Sequence, residues 1–573
     1  MKLSDYIADF LYVQGVSCVF EVVGGMITHL VDSLHRQGKI QIVSTHHEQA
    51  AAFAAEAMAR ITGVPGVALA TSGPGATNLL TGIGSCYFDS TPAVFITGQV
   101  NRKEQKGNRP IRQLGFQETD IVSMASPITK AAWRIQSSED IPRALEQAFT
   151  CAVSGRPGPV LIDIPMDIQR AEGSAKSPIQ LSGTDGEEPD SETIDKMFTH
   201  LRGAQRPLIL AGGGIRSARV TELFGKFVDQ VKVPVVNSLM AVDALPYVHH
   251  LRVGLIGSYG NRWTNMAIGR SDFLLVLGSR LDIRQTGSDT GAFMGNRTIY
   301  HVDCETGEIN NRVKGCKAIL AHLRPFLVVA LQRSTDKIFP KRLEWLAEID
   351  EIRRSWPDTN ELDGTSGINP NKFIHQLSSV SDQAVAFVVD VGQHQMWAAQ
   401  SVELAPTQRF LTTGGMGAMG FALPAAIGTA MARPGNPVVM IAGDGGFQLN
   451  IQELQTVAHH HLPVKMVVLN NRCYGMVRQF QQSYFDERYQ STYWGYSAPD
   501  FALVAQAYGI DGRSVNSPVE VQSALDEMWV DPKAPFLLQV MIDPFTNVYP
   551  KIAFGHPITE MEPFVKPIEM EGT

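Results

Sequence analysis

A strand-like apolar run at residues 437–442 leads directly into Gly-Asp-Gly-Gly at 443–446, and this junction constrains the fold more than any other part of the sequence. A helical stretch follows, and a second apolar run at 464–469 ends in two asparagines. The order strand, helix, strand predicts a right-handed crossover, in which the two strands are parallel and their carboxyl ends open on one edge of the sheet. We therefore expect Asp444 and Asn471 to lie close together.

Asp444 and Asn471 carry oxygen ligands that suit Mg²⁺, an ion that keeps coordination positions open for phosphate oxygens and water. Gly443, Gly445 and Gly446 allow main-chain N–H groups to approach a diphosphate, and the amino end of the following helix adds a favourable dipole. The alternative is a tight turn between strand and helix that Asp444 caps. The position of Asn471 at the end of the next strand favours the metal site.

The same alternation of short apolar runs and helical stretches continues along the chain, and it predicts an α/β protein of three domains, each with a doubly wound parallel sheet. The first and third domains have similar patterns. Polar segments at 182–191 and 358–366 have the composition of linkers. The predicted domains comprise residues 1–180, 190–355 and 367–545, and residues 546–573 are expected to form a tail that crosses the surface.

Composition and charge exclude several classes of function. The 49 basic and 57 acidic residues give a net charge of -8, so the chain offers no electrostatic footprint for nucleic acid. It shows neither a signal peptide nor a long apolar run, so we expect a cytoplasmic protein without a membrane partner. Charged residues make up only 18%, below the usual value of roughly 25%, which suggests that partner subunits cover part of the surface.

The pattern from Gly-Asp-Gly to Asn-Asn resembles the diphosphate-binding motif of thiamin diphosphate (ThDP) enzymes. Within that class, four segments resemble the acetolactate (acetohydroxyacid) synthase branch: Gly-Gln-His-Gln-Met-Trp-Ala-Ala-Gln at 392–400, Gly-Gly-Met-Gly-Ala-Met-Gly at 414–420, Phe-Gln-Glu-Thr at 116–119 and Gly-Met-Val-Arg-Gln at 475–479. Several independent motifs in the same order give this resemblance its weight. It implies a pyrimidine-binding domain, a central domain of FAD-binding type and a diphosphate-binding domain, in that order.

The resemblance assigns the catalytic acid to Glu48, which lies at the start of an Ala-rich helix and would pair with the aminopyrimidine N1′ of ThDP. From the residues alone, a glutamate that interacts with the helix dipole is the alternative. By resemblance, the carbonyl of Gly417 receives the 4′-amino group, and the side chain of Met419 holds the cofactor in a bent form. Gly25 and Gln117 would line the reacting thiazolium ring.

The same resemblance gives the other expected contacts of the cofactor and its metal. The first and third domains of one site come from different subunits in the family, so a homodimer or homotetramer is implied, with or without a regulatory subunit. The expected ThDP contacts are Gly392, Gln393, His394, Gly443, Gly445, Gly446 and Met476, and the expected Mg²⁺ site comprises Asp444, Asn471 and Cys473.

The middle domain resembles the domain that holds FAD in acetolactate synthases, where the flavin would be structural because the reaction needs no redox step. Two departures from the family pattern bear on this expectation: residues 320–322 read Leu-Ala-His in place of Gly-Asp, and Tyr259 stands where histidine is usual. The residues expected to contact FAD are Gly212, Gly213, Arg280, Asp282 and Asp303.

The implied reaction removes CO₂ from pyruvate and transfers the remaining two-carbon unit to a second 2-keto acid. Arg284 matches the arginine that binds the carboxylate of this second acid, although a structural ion pair is the alternative. Phe480 replaces a tryptophan that favours 2-ketobutyrate, so that preference should weaken. Met166 stands where the family has lysine, Ser258 stands where it has methionine, and Phe116 completes the expected substrate contacts.

These changes on the acceptor side leave other functions open. One is transfer of the acetyl unit from pyruvate to a ketone without a carboxylate, such as a nucleotide-linked keto sugar. Another is the activity of a pyruvate decarboxylase or oxidase, which would protonate or oxidise the same carbanion. A non-catalytic relative is disfavoured, because Glu48, Asp444 and Asn471 are all present.

Overall fold

The structure is a computed structural model that describes residues 1–173, 178–181, 186 and 188–571. The described residues form three parallel six-stranded sheets and one two-stranded sheet, so the expected α/β fold is confirmed. The predicted linker at 182–191 lies largely outside the described residues. No helix in the described part of the chain is long and apolar enough to cross a membrane.

The first domain has the strand order β2-β1-β3-β4-β6-β5. Its strands are Cys18–Val22 (β1), Gln41–Ser44 (β2), Gly66–Ala70 (β3), Ala93–Gln99 (β4), Ala131–Arg134 (β5) and Pro159–Pro165 (β6). Its helices are Leu3–Val13 (α1), Thr28–Gln37 (α2), Glu48–Thr62 (α3), Pro74–Asn78 (α4), Leu80–Phe88 (α5), Ile121–Ala125 (α6), Ile141–Val153 (α7) and Met166–Gln169 (α8).

The middle domain comprises the next six strands and eight helices of the described chain. Its strands are Pro207–Ala211 (β7), Val235–Asn237 (β8), Arg252–Leu255 (β9), Phe273–Leu277 (β10), Thr298–Asp303 (β11) and Lys317–Leu320 (β12). Its helices are Ser191–Gly203 (α9), Gly214–Ser217 (α10), Thr221–Val231 (α11), Arg262–Arg270 (α12), Ile283–Thr286 (α13), Thr290–Met294 (α14), Leu323–Ser334 (α15) and Leu343–Ser355 (α16). The order β12-β11-β10-β7-β8-β9 is that of dinucleotide-binding sheets, and it reverses between β7 and β10.

The third domain repeats the topology of the first, as their similar sequence patterns predicted. Its strands are Ala386–Val389 (β13), Arg409–Leu411 (β14), Val438–Gly443 (β15), Val464–Asn470 (β16), Asp511–Val515 (β17) and Phe536–Met541 (β18), in the order β14-β13-β15-β16-β18-β17. Its helices are Pro370–Ser379 (α17), Gln393–Ser401 (α18), Ala422–Ala432 (α19), Asp444–Leu449 (α20), Leu454–His459 (α21), Gly475–Tyr484 (α22), Phe501–Ala507 (α23) and Val521–Met528 (α24).

The tail does more than cross the surface, because its hairpin packs into the middle domain. The strands Lys551–Ile552 (β19) and Met561–Glu562 (β20) pair antiparallel. Ile552 and Met561 belong to a hydrophobic cluster of the middle domain, and the N–H of Ile552 donates to the carbonyl of Ser258 at 2.8 Å. The tail therefore lies against the segment that carries the predicted substrate residue Ser258.

The cores form because successive strand residues point to opposite faces of each sheet. In β3, Val67 and Leu69 join a cluster with α1 and α7, whereas Ala68 and Ala70 face α3. The second of these clusters continues into the third domain through α3 and α19. Helix α3 is buried on almost every side, as expected for a helix that is apolar all round. The first and third domains thus share one hydrophobic core.

Glu56 is a fully buried carboxyl group within this shared core. Its carboxylate faces the side chains of Ser85 and Cys86, and its Oε1 atom lies 3.6 Å from Nη1 of Arg60. Burial, reinforced by the negative charge of Asp89, raises the pKa of Glu56 to about 8, although Arg60 opposes the shift. The folded state therefore retains a proton that the unfolded chain releases near pH 4.5.

Because the folded state binds the extra proton, the contribution of Glu56 to the free energy of unfolding falls as pH rises from about 4.5 to about 8. We expect Glu56→Gln, which carries no charge, to abolish this loss. Thermal unfolding measured at about pH 6 and at about pH 9 gives the decrease in Tm between the two pH values. We expect this decrease to be smaller in the variant than in the unmodified protein, by roughly 2–4 °C. The exposed Glu344, changed to glutamine, is the control, and equal decreases in all three proteins would contradict the prediction.

Candidate active site

The loops that follow β13 and β15 meet at the carboxyl edge of the third sheet, where Gly443 lies against His394. The strand order reverses between these two strands, and ligands of open parallel sheets bind in the crevice at such a reversal. Gly392 and His394 follow β13, and Gly443 ends β15. A Cβ atom on Gly443 would lie 2.8 Å from Nδ1 of His394, so only glycine allows this approach. The sequence segments predicted to contact the cofactor therefore lie side by side.

Asp444 and Asn471 are brought to the same edge by the parallel pairing of β15 and β16, in which Gly443 lies opposite Leu469. Asp444 is the first residue of α20, and Asn471 directly follows β16. Both side chains are buried. The amide of Asn471 donates to Oε1 of Gln393 at 3.0 Å, which fixes the orientation of its carbonyl oxygen.

The carboxyl group of Asp444 has the character of a cation ligand. Its Oδ2 atom is buried and has no hydrogen-bond partner among the described residues. Burial raises the pKa of Asp444 to about 7, against a hydrogen bond from Tyr496 that favours the ionised form. A divalent ion at this edge would satisfy the unpaired oxygen and compensate the buried charge. The residues present therefore fit Mg²⁺.

Cys473 can contribute to such a site only through its main chain. Its thiol donates to the carbonyl of Pro544 at 3.4 Å, and its main-chain N–H donates to Oδ1 of Asn471 at 3.2 Å. Burial raises the pKa of the Cys473 thiol to about 12, and a sulfur atom is a soft ligand that Mg²⁺ does not prefer. Its carbonyl oxygen remains available to a hard cation.

The environment of the Gly-Asp-Gly-Gly turn also suits a diphosphate. Nε2 of the buried His394 has no partner among the described residues, and burial lowers the pKa of this imidazole to about 3, so it is neutral. A Cβ atom on Gly446 would lie 2.7 Å from Oδ1 of Asp390, and one on Gly445 would lie 2.5 Å from the ring of Tyr474. The glycines thus leave main-chain groups in place of side chains at the turn, as a phosphate site requires.

Two aromatic residues beside this turn were not among the predicted site residues. The rings of Tyr474 and Tyr496 lie 4.7 Å apart, and both residues line a small pocket with Gly445. Tyr496 also hydrogen-bonds to Asp444. In the sequence, only the aromatic run near 494–496 pointed to these residues. Such a run does not show that Tyr496 contacts Asp444, which follows a strand elsewhere in the chain.

The loops after β1 and β3 meet at the corresponding edge of the first sheet, where the N–H of Met26 donates to Oγ1 of Thr71 at 3.3 Å, and the segment after β3 contacts Glu48. Glu48 is buried at the first turn of α3 and accepts a hydrogen bond from Nδ2 of Asn78 at 2.9 Å. A Cβ atom on Gly75 would lie 3.0 Å from Oε1 of Glu48. Gln117 has a positive φ of 64° and packs against Gly73. The space beside Gly25 is open, because a Cβ atom there would have no described residue other than its chain neighbours within 4 Å.

Within one chain, Glu48 and Asp444 lie in different surroundings. The neighbouring residues His46 and Gln49 contact the third domain at Glu453 and Asn450, with hydrogen bonds of 2.9 and 3.0 Å. Among the residues that the structure describes, no hydrogen bond joins Glu48 to the loop of Asp444. Glu48 and Asp444 thus follow strands of two different sheets, β2 of the first and β15 of the third.

A cavity of about 890 Å³ opens at the reversal point of the middle sheet and continues along the first domain at residues such as Phe88 and Asp89. Four of the five residues predicted to contact FAD line it: Gly213, Arg280, Asp282 and Asp303. Gly212 has a packing role instead, because a Cβ atom there would collide with the carbonyl of Gly278. The position of this part of the cavity, at the strand reversal, fits a dinucleotide such as FAD.

The same cavity extends to the third domain and contains two of the predicted substrate residues. Ser258 and Arg284 line it together with Gly417, and the main-chain N–H of Ser258 donates to the carbonyl of Arg284 at 2.6 Å. The guanidinium of Arg284 is exposed and forms no ion pair with any described residue, so the alternative of a structural ion pair is not supported. Tyr259, which departs from the family pattern, also lines the cavity.

The remaining predicted residues lie outside this cavity in one chain. Phe116 is 78% exposed in the first domain, and Met166 is half-buried at the start of α8. Phe480 lies on α22, where its ring centroid is 4.9 Å from that of Tyr484. In the third domain, Met419 is half-buried in the segment between β14 and α19, and Met476 is half-buried on α22.

Comparison with known proteins agrees with this geometry. Family models of thiamine pyrophosphate enzymes match the N-terminal TPP binding domain at residues 1–124, the central domain at 194–329 and the C-terminal TPP binding domain at 390–540. The acetolactate synthase isozyme 2 large subunit of Escherichia coli (strain K12) is 37% identical over 98% of this chain and 99% of its own length.

Two further relatives show similar agreement. The acetolactate synthase large subunit of Lactococcus lactis subsp. lactis (strain IL1403) is 35% identical over 97% of this chain and 95% of its own. The chloroplastic acetolactate synthase of Arabidopsis thaliana is 35% identical over 97% of this chain and 83% of its own. The chain therefore belongs to the thiamine pyrophosphate enzymes and, within them, to the acetolactate synthase family.

Proposed function

We propose that this protein is a ThDP-dependent carboligase that decarboxylates pyruvate and joins the two-carbon unit to a second 2-keto acid. The observation that carries the proposal is the edge of the third sheet, where Asp444 and Asn471 are buried together and a carboxylate oxygen lacks a partner among the described residues. Relatives of nearly equal length that are named acetolactate synthases support the activity.

Asp444, Asn471 and the carbonyl of Cys473 would hold Mg²⁺, and the Gly-Asp-Gly-Gly turn with His394 would hold the diphosphate. Bound ThDP supplies the electron-accepting ring that stabilises the negative charge left when CO₂ departs from pyruvate. Glu48 would hold the proton shared with a ring nitrogen of the cofactor, and the hydrogen bond from Asn78 orients its carboxylate for this role.

Because Glu48 and Asp444 belong to different sheets and no hydrogen bond joins Glu48 to the loop of Asp444 among the described residues, we propose that each site is completed by a second copy. Several large apolar side chains near the predicted site residues are exposed in the single chain, which supports a partner that covers them. They include Phe116 at 78%, Val477 at 53%, Leu449 at 52% and Trp494 at 48%. The relatives' designation as large subunits adds a smaller regulatory partner to the proposed assembly.

On the acceptor side, Arg284 would bind the carboxylate of the second 2-keto acid through its exposed guanidinium. Since this guanidinium has no ion-pair partner among the described residues, it supports an acidic acceptor over an uncharged ketone. Ser258 lies beside Arg284 and would contact the same substrate. Phe480, Met166 and Phe116 would complete the pocket from α22 and from the first domain of the partner.

We further propose that FAD occupies the cavity of the middle domain in a structural role, with Gly213, Arg280, Asp282 and Asp303 around it. A cytoplasmic location is proposed as well. The six cysteines all fall within the described residues and form no disulfide, which suits a reducing compartment.

Glu48→Gln should abolish turnover and leave the fold intact, because the amide cannot exchange a proton with the cofactor. We expect kcat for pyruvate consumption to fall at least about 100-fold, with an unchanged far-UV circular dichroism spectrum. Glu453→Gln is the matched control, since Glu453 is a buried glutamate that accepts a hydrogen bond from His46 at 2.9 Å in the same region. Near-normal activity of Glu48→Gln would contradict the assignment of Glu48 as the catalytic acid.

Asp444→Ala should weaken the Mg²⁺-dependent binding of ThDP, because it removes the charged ligand proposed for the ion. In calorimetric titration with ThDP and Mg²⁺, we expect the dissociation constant to rise at least about tenfold relative to the unmodified protein. Asp382→Ala, at an exposed position in the same domain, should bind as the unmodified protein does. Equal affinity of the two variants would contradict the metal site.

The product distribution tests the acceptor. Purified protein with ThDP, Mg²⁺ and pyruvate should yield acetolactate, identified by mass spectrometry, and the Phe480 side chain should make 2-ketobutyrate only a weakly preferred acceptor. Arg284→Gln should raise KM for the second 2-keto acid by about tenfold or more without a matching loss in CO₂ release. An acetylated uncharged ketone as the main product would show that the acceptor is a ketone and not a 2-keto acid. Acetaldehyde or hydrogen peroxide would instead indicate a decarboxylase or an oxidase.

A further inference from the structure

The segment at 412–421 of the third domain connects β14 to α19 and carries Gly417 and Met419, the residues proposed to contact the pyrimidine part of ThDP. We name it the glycine segment. Its carboxyl end is fixed within its own domain, because the buried Asp390 accepts the N–H of Gly420 at 3.0 Å and that of Ala422 at 2.8 Å. Gly417 itself has open space around it and a positive φ of 65°.

The amino end of the glycine segment is fixed by the first domain of the same chain. Asp89, which directly follows α5, accepts the N–H of Gly415 at 2.7 Å through Oδ1 and the N–H of Gly414 at 3.2 Å through Oδ2. A Cβ atom on Gly415 would lie 2.5 Å from Cβ of Phe88, so glycine is required for the end of α5 to approach this closely.

Neighbouring polar groups of the first domain bind the residues just before these two glycines. Arg60 donates to the carbonyl of Thr412 at 2.7 Å, and Ser85 donates to the hydroxyl of Thr413 at 3.2 Å. Burial raises the pKa of Asp89, whereas the charge of Arg60 and the two glycine N–H groups favour its ionised form. The Asp89 carboxylate thus has its hydrogen bonds directed at the glycine segment.

We propose that Asp89 is a positioning residue of the cofactor site: by binding the N–H groups of Gly414 and Gly415, it sets the place of Gly417 and Met419. Because a carboxylate holds the segment at each end, the four residues between Gly415 and Gly420 have little freedom to move. The inference rests on the proposed function, since Gly417 and Met419 contact a cofactor only if the chain binds ThDP.

The structure offers a matched control for the loss of an interdomain carboxylate. Asp243 of the middle domain accepts the N–H of Phe410 at 3.0 Å and pairs with Arg409 at 2.9 Å, both in β14. Asp243 is buried, and like Asp89 it binds the third domain, but at a point just before the glycine segment. Among the described residues, its side chain forms no hydrogen bond with the glycines of that segment. Its removal should therefore lower stability without displacing Gly417.

The test compares Asp89→Ala, Asp89→Asn and Asp243→Ala with the unmodified protein in two measurements: thermal unfolding, and calorimetric titration with ThDP in the presence of Mg²⁺. We expect Asp89→Ala to raise the dissociation constant of ThDP at least about tenfold, and Asp243→Ala to change it less than about threefold at a comparable loss of Tm. Asp89→Asn should be intermediate, because its amide oxygen can still accept from Gly415 while its NH₂ group opposes the N–H of Gly414.

Each outcome decides the inference. If Asp89→Ala binds ThDP as the unmodified protein does, or if Asp243→Ala weakens binding equally, Asp89 has only a structural role. If Asp89→Ala does not fold, Asp89→Asn alone must show the weaker binding for the inference to hold. If the unmodified protein does not bind ThDP at all, the proposed function fails and this inference fails with it. That outcome is distinguishable from normal binding by both the unmodified protein and the variants, which would contradict this inference alone.

Discussion

The close contact between α3 and α19 is the constraint on which the relation of the first and third domains depends. Both helices are rich in alanine, and a Cβ atom on Gly428 of α19 would collide with the main chain at Ala54 of α3. Small residues let the helices approach until their side chains form one buried cluster with both sheets. A larger residue in this contact would push the two domains apart. The polar interactions that join the domains would then break.

Polar interactions at this contact link the shared core to the cofactor site. Arg60 and Glu56 lie on α3, and Asp89 follows the neighbouring helix α5. A buried charge is costly unless it is paired or neutral, which explains why Glu56 has a raised pKa while Asp89 has hydrogen-bond donors on the glycine segment. Residues beside the shared core therefore also fix the loop that carries Gly417.

The three sheets place their functional loops by one rule, which is that a crevice opens where the strand order reverses. In the third sheet the crevice holds Asp444 and His394, and in the first it holds Glu48 with Gly75 against it. In the middle sheet it is the large cavity that reaches from Asp303 to Gly417. A repeated topology thus supplies two different halves of a site, because the functional side chains follow different strands: Glu48 follows β2, whereas Asp444 follows β15, the counterpart of β3.

The sequence by itself determined the α/β class, the likeness of the first and third domains and the placement of Asp444 and Asn471 after neighbouring strands, because buried central strands are continuous apolar runs and strand ends follow from them. Short edge strands such as β5 and β12 leave little signal in the sequence, since four residues that are half-buried in β5 and mostly exposed in β12 carry little periodicity. Only the tertiary structure decided that Tyr496 contacts Asp444, that Gly212 packs on Gly278 and that Asp89 binds Gly415. These contacts join residues that are far apart in the chain. Their distances depend on how helices and domains pack, and a local sequence pattern carries no information about that packing.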